Sequence, residues 1–182
     1  MPCKGMSWFV REVMPLVDPN VTLLVAGPPW DCEEMNAVAQ CSRARYLGVL
    51  SRESLAELRS ECIACIMPNL PAHLSGQNEG FGLSALESAA VGVPVIASNL
   101  GGLAEAVVNG VTGFLVEPMD AEGFAARINE VATWHPLRRQ QFAQGARQTI
   151  AERFTWDRVA DDYFKEFERL TARKQSDASV AR

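Results

Sequence analysis

The stretch Asn78–Gly102, "NEGFGLSALESAAVGVPVIASNLGG", decides how this chain is read. Glu79 and Glu87 bracket a Gly80-Phe81-Gly82 turn, and the apolar run Val93–Ala97 follows at once. Leu83–Val91 reads as a helix, with Gly92 placed to end it. Val93–Ala97 is a strand of the continuous apolar kind that is covered on both faces. Upstream, Cys62–Met67 is a second short apolar run, stopped by Pro68, and a Pro- and Gly-containing loop joins it to Glu79.

Outward from this stretch the same alternation continues. Met6, Phe9, Val10, Val13, Met14 and Val17 recur at helical spacing. Val21–Ala26, the region around Ala44–Leu47, and Thr112–Val116 read as further strands. Helices are expected over Glu33–Gln40, over Arg52–Ser60 with Ser51 as its cap, and over Gly102–Asn109. Another runs from the cap Asp120 to about Trp134, and the next opens at Pro136. The last carries Val159, Tyr163, Phe164, Phe167 and Leu170 on one stripe. Strands alternating with helices imply a Rossmann-like α/β domain, a parallel sheet with helices on both faces, over residues 1–172. Residues 173–182 are polar and read as a disordered tail. The chain opens on a helix, where this architecture usually opens on a strand, and reads as one domain of a larger protein.

Composition narrows the function. The 182 residues are 48% hydrophobic and 21% charged, the balance of a globular domain able to bury a core without staples. A net charge of −5 argues against a nucleic-acid partner. It leaves room for a small anion, because a few N–H groups and one lysine hold a phosphate locally. Five cysteines, an odd number in apolar surroundings, indicate a reducing compartment and a cytoplasmic location. Cys62-Ile-Ala-Cys65 has C-x-x-C spacing, but lies in a strand rather than at a helix start and lacks a second pair for zinc, so it reads as packing. No run approaches the roughly 18 apolar residues of a membrane span.

The chemistry concentrates in the opening stretch. Ligands of open parallel sheets sit at the carboxyl ends of the strands, and the loop Pro68–Gly82 leaves such an end. Gly80 and Gly82 allow close backbone approach. The N–H groups of Phe81 to Ser84 begin a helix and form a natural phosphate cradle. A carboxylate there repels phosphate but accepts hydrogen bonds from hydroxyls. Two carboxylates flanking a phosphate-cradling turn therefore suggest a nucleotide diphosphate sugar.

The segment "EGFGLSALE" resembles the E-x7-E motif of retaining GT-B glycosyltransferases of the group 1, or family 4, type. The resemblance continues through "GVPVIASNLGGLAEAVVNGVTGFLVEPMD" and "ERFTWDRVADDYFKEFERL", and "PCKG" at residues 2–5 resembles the family's P-x-K-G segment. It implies the C-terminal, donor-binding half of a GT-B fold. It also implies catalytic roles for Lys4, reaching the donor diphosphate, and for Glu79, holding sugar hydroxyls. The backbone of Gly80, Phe81, Gly82, Leu83 and Ser84 would approach sugar and phosphate. Glu87 would accept the ribose hydroxyls, and Gly27 with Gly48, Val49 and Leu50 would line the nucleotide. The family transfers sugar with retention and without a required metal or cofactor. A front-face mechanism is commonly proposed, in which the leaving diphosphate helps take the acceptor proton. The family's arginine before the P-x-K-G lysine, and the amino-terminal domain that carries the acceptor site, are expected outside this chain, in the same or a separate polypeptide. Any membrane-peripheral contact of the full enzyme would go with that domain.

Other readings are weaker. Gly80-Phe81-Gly82-Leu83-Ser84-Ala85 fits the G-x-G-x-x-A fingerprint of dehydrogenases formally, but does not follow its strand directly and has Ser98-Asn99 where the ribose acid belongs. Asp161-Asp162 lacks the spacing of a metal-binding D-x-D pair and falls on the polar side of a helix. His73 and His135 read as surface residues, and Trp8, Trp30, Trp134 and Trp156 as core or cap residues. Gly101-Gly102 reads either as a turn or as a ligand contact. A non-catalytic nucleotide-sugar-binding module, or one subunit of a split transferase, is the alternative to an enzyme half.

Overall fold

The computed structural model describes residues 4–29, 31–76 and 79–180. Pro2, Cys3, Trp30 and Asn78 lie outside the described residues.

Among the described residues five strands alternate with helices, as expected. The first helical segment, α1, spans residues 6–16. It is α-helical at Met6–Trp8, widens to a π-turn over Phe9–Val13 and tightens to a 3-10 turn at Met14–Leu16. Its carbonyl end is closed by Arg43, whose guanidinium donates to Met14, Val17 and Asp18 carbonyls. Then follow β1 (Leu23–Val25), α2 (Cys32–Gln40), β2 (Ala44–Tyr46), α3 (Arg52–Glu61) and β3 (Cys65–Met67). After these come α4 (Ala72–Ser75), α5 (Leu83–Ala90), β4 (Val95–Ser98), α6 (Gly101–Ala106) and β5 (Gly113–Val116). The chain closes with α7 (Ala121–Ala132), α8 (Pro136–Arg153) and α9 (Trp156–Val180).

The N-caps follow the chemistry of their residues. Asp31, Ser51 and Asp120 accept hydrogen bonds from first-turn N–H groups of α2, α3 and α7. His135 does the same for α8, with Pro136 behind it. The expected strand Cys62–Met67 is shorter, because Cys62 terminates α3 through its N–H to the Arg59 carbonyl. The loop after Pro68 contains the one-turn helix α4, which its prolines and glycines conceal. Residues 173–180, expected to be a disordered tail, continue α9 as helix, and residues 181–182 lie outside the described residues.

All pairings are parallel, but the strands form two sheets rather than one: β1 with β2, and β3-β4-β5. The break falls between β1 and β3. Leu23 donates to the Arg43 carbonyl and Val25 accepts from Leu47, so both face β2. Cys65 donates to the Pro94 carbonyl and so faces β4. Leu24 and Ile66, the middle residues of β1 and β3, turn their peptide groups to the opposite edges, which carry no ladder among the described residues. Side chains bridge the two sheets, since Leu23, Val25, Ile66 and Ile96 share one hydrophobic cluster with Phe9, Val13 and Phe124. β4 is fully buried. Ile96 enters that cluster, and Val95 and Ala97 enter a second one with Met67, Ala85 and Leu103. The rigid centre of the molecule thus ends, at the carboxyl ends of β3 and β4, beside the loops that carry Glu79.

Candidate functional site

The site begins with a contact between Gly5 and the end of β3. Gly5 adopts φ 69°, and a Cβ there would come 2.2 Å from the carbonyl oxygen of Pro68. Only glycine combines that backbone conformation with so close an approach. The contact sets Lys4 beside the loop, where its ammonium pairs with the Glu79 carboxylate. Asn69, the second residue after β3, donates its side-chain N–H to the same carboxylate oxygen at 3.0 Å. Burial alone would raise the pKa of Glu79. Lys4, Asn69 and the Gly80 N–H outweigh it and hold the carboxyl below its usual range. The carboxylate is therefore ionised and fixed, as an acceptor of hydroxyl hydrogen bonds needs to be.

The turn after Glu79 is shaped by two packed glycines. Gly82 has φ 84°, and a Cβ on it would meet Leu103 at 2.5 Å. A Cβ on Gly102 would meet the Gly80 carbonyl oxygen at 2.3 Å and Phe81 Cα at 2.4 Å. Gly102 thus supports the turn from below. Gly82 is the N-cap residue of α5 and offers no side-chain cap, unlike the residues that open α2, α3, α7 and α8. The N–H groups at the start of α5 keep the positive end of a helix dipole without a side-chain acceptor on them among the described residues. Phe81, Leu83 and Ser84 are exposed around it.

Glu87 lies one turn further along α5, on the same side as Leu83, and is exposed. Its carboxylate pairs with Arg59, from the last turn of α3, at 2.6 Å. The Arg59 side chain is 15% exposed and that of Glu87 55%. Nothing in the sequence marks Arg59 as a partner, because the two are joined only through the packing of α3 on α5.

Gly27 and Gly48–Leu50 form a second group, at the carboxyl ends of β1 and β2. The Gly27 N–H donates to the Gly48 carbonyl at 2.9 Å, and Tyr46 Oη donates to the Gly27 carbonyl at 2.7 Å. Neither glycine would meet an atom within 4 Å if it carried a Cβ, and Val49 is exposed. These loops leave open surface.

The rival features resolve simply. The thiols of Cys62 and Cys65 are free and pushed up by burial, the opposite of a redox pair. Trp134 is buried and Trp8 packs edge-on to Phe124, but Trp156 stands 83% exposed at the start of α9 and is not a core residue. His73 is exposed on α4, and His135 caps α8. No group of three or more metal-ligating side chains occurs among the described residues. No described helix is long and apolar enough to cross a membrane.

The fold is a Rossmann-like α/β domain that corresponds to the C-terminal half of a GT-B glycosyltransferase. The family model for glycosyl transferases group 1 matches residues 1–133, and the chain belongs to that family. It is 37% identical over 146 residues to the glycogen synthase of Mycobacterium tuberculosis, covering 78% of this chain and 33% of that protein. It is 42% identical over 172 residues to the D-inositol 3-phosphate glycosyltransferase of Saccharomonospora viridis, covering 88% and 38%. Among solved structures it is similar to Anabaena Alr3699/HepE in complex with UDP, with TM-score 0.75 and 22% identity over 93% of this chain and 46% of that one. The chain thus spans between about a third and somewhat under half of these relatives.

Proposed function

We propose that the chain is the donor-binding part of a retaining glycosyltransferase that uses a nucleotide diphosphate sugar and needs no metal. The observation that carries this reading is the Lys4–Glu79 pair set against a glycine-shaped turn whose helix lacks a side-chain cap. The diphosphate would lie on the first N–H groups of α5 and draw the Lys4 ammonium. Glu79, fixed and ionised, would accept from sugar hydroxyls, and Glu87 from the ribose. The loops at Gly27 and Gly48–Leu50 would line the nucleotide through backbone groups. The chemical contribution of this half is electrostatic, since lysine, helix dipole and N–H groups stabilise the charge that gathers on the leaving diphosphate.

Calorimetric titration with UDP-glucose, ADP-glucose and GDP-mannose tests the reading. Weak saturable binding of at least one, reduced by Glu79→Ala, is expected. No binding of any, at millimolar ligand, would overturn it.

A further inference from the structure

We propose that Asn69 is the positioning residue for Glu79, holding the carboxylate in place for the sugar while Lys4 is engaged elsewhere. The inference rests on the donor-site reading above. Asn69 is 2% exposed, at the loop junction that Gly5 and Pro68 lock. Its Nδ2 donates to Glu79 Oε2, the oxygen that also takes the Lys4 ammonium. An ionised carboxylate only accepts, so the carboxamide must turn its NH2 toward Glu79. Its Oδ1 is then buried and has no hydrogen-bond partner among the described residues. An orphaned buried acceptor is a standing cost that a residue kept only for packing would not carry.

The two donors on Glu79 differ in what a ligand does to them. A diphosphate carries concentrated negative charge and competes with Glu79 for the mobile Lys4 ammonium, whose side chain is nearly half exposed. It exerts no comparable pull on a neutral, buried carboxamide. When a donor binds and Lys4 turns to phosphate, Asn69 is the side chain that stays on Glu79. It keeps the carboxylate from swinging to solvent or following the lysine. Asn69 therefore matters for the sugar half of the ligand and not for the nucleotide half.

The test compares each nucleoside diphosphate with its own sugar nucleotide: UDP with UDP-glucose, ADP with ADP-glucose, GDP with GDP-mannose. Binding is measured to the unsubstituted chain, to Asn69→Ala and to the isosteric Asn69→Asp. The expected result is a roughly ten-fold loss for the sugar nucleotide with no change for the diphosphate alone. Asn69→Asp should regain affinity as the pH falls and the new carboxyl becomes a donor, a recovery that a packing role would not produce. A 13C titration of the Glu79 carboxyl gives a readout free of ligand, and its pKa should rise in Asn69→Ala. Equal losses for both ligands, or none for either, overturn the proposal, as does an unmoved Glu79 titration. If no nucleotide binds the unsubstituted chain, the donor reading fails and takes the sugar-specific role of Asn69 with it. A shifted Glu79 titration would then still show that Asn69 holds the carboxylate.

Discussion

Gly5 and Pro68, far apart in sequence, meet so closely that a single Cβ on Gly5 would stand 2.2 Å from the Pro68 carbonyl oxygen. The contact delivers Lys4 to Glu79. Gly5→Ala should therefore cost about 2 kcal/mol of stability, from the left-handed backbone and the displaced loop. It should also release Lys4. Denaturant unfolding reads the first effect, and the Glu79 titration, moving up toward the usual carboxylate range, reads the second.

Two other glycines are expected to separate packing from propensity. Gly102→Ala places its Cβ 2.3 Å from the Gly80 carbonyl oxygen, so it should cost about 1–3 kcal/mol and distort the turn before α5. Gly145 lies within α8, with nothing within 4 Å of an added Cβ. Gly145→Ala should stabilise the chain by about 0.5–1 kcal/mol, as an ordinary helix position does. A stabilising Gly102→Ala would contradict the support assigned to it.

Glu87 is charge-compensated by Arg59 before any ligand arrives. Glu87→Ala should weaken nucleoside diphosphate binding roughly ten-fold if the carboxylate takes the ribose hydroxyls. The exposure of Glu87 limits the loss of stability to about 1 kcal/mol. 2′,3′-Dideoxyribonucleotide analogues should not discriminate between Glu87→Ala and the unsubstituted chain. Equal affinity of both proteins for the ribonucleotide would count against the ribose role.

The pH dependence has a defined sign. Folding holds Glu79 below its usual pKa, so its ionised form is the one that stabilises. That contribution is complete above the ordinary carboxylate range and is lost as the pH falls through the lowered folded value. Glu79→Gln should be less stable than the parent near neutral pH and indistinguishable from it in strong acid. Glu34 acts in the opposite sense. Burial raises it, against the Ser7 N–H that lowers it, so its effect on stability falls away as the pH rises through its range.

The isolated chain should show no significant sugar transfer and at most slow donor hydrolysis. Transfer depends on holding donor and acceptor together in one dry cleft, and the proposed function assigns this chain groups for the donor. Radiolabelled nucleotide sugars with a panel of acceptors check this. Robust transfer by the chain alone would show that it carries an acceptor site.

The legible parts of this molecule were those whose chemistry is local. Ser51 and Asp120 announced their helices because an N-cap needs only its own next turn. The continuous apolar run around Val95–Ala97 announced a strand buried on both faces. Glu79 and the turn at Gly80–Ser84 were legible from the residues themselves, two carboxylates about a glycine turn that opens a helix, whereas Lys4 came through resemblance, and the structure brings Lys4 and Glu79 into contact. What stayed hidden depends on distant partners. Asn69 looks like any loop asparagine until Gly5 pins its backbone, and Arg59 like a solvated helix residue until α3 lies on α5. The division into two sheets was hidden too, because Leu24 and Ile66 are apolar strand residues whether or not a neighbour pairs with them.

That division creates a seam. Across it the two halves of the strand layer are fastened by side chains such as Leu23, Val25, Ile66 and Ile96, with no backbone ladder among the described residues. Side-chain contacts tolerate sliding, and hydrogen-bonded ladders do not. Gly27 and Gly48 ride on one side of the seam, and Glu79 and Glu87 connect to the other. The spacing between these two groups of loops is therefore adjustable at little cost in free energy. Amide exchange should report the seam directly, with Leu24 and Ile66 exchanging faster than Ile96, and slowing when a ligand spans both sides.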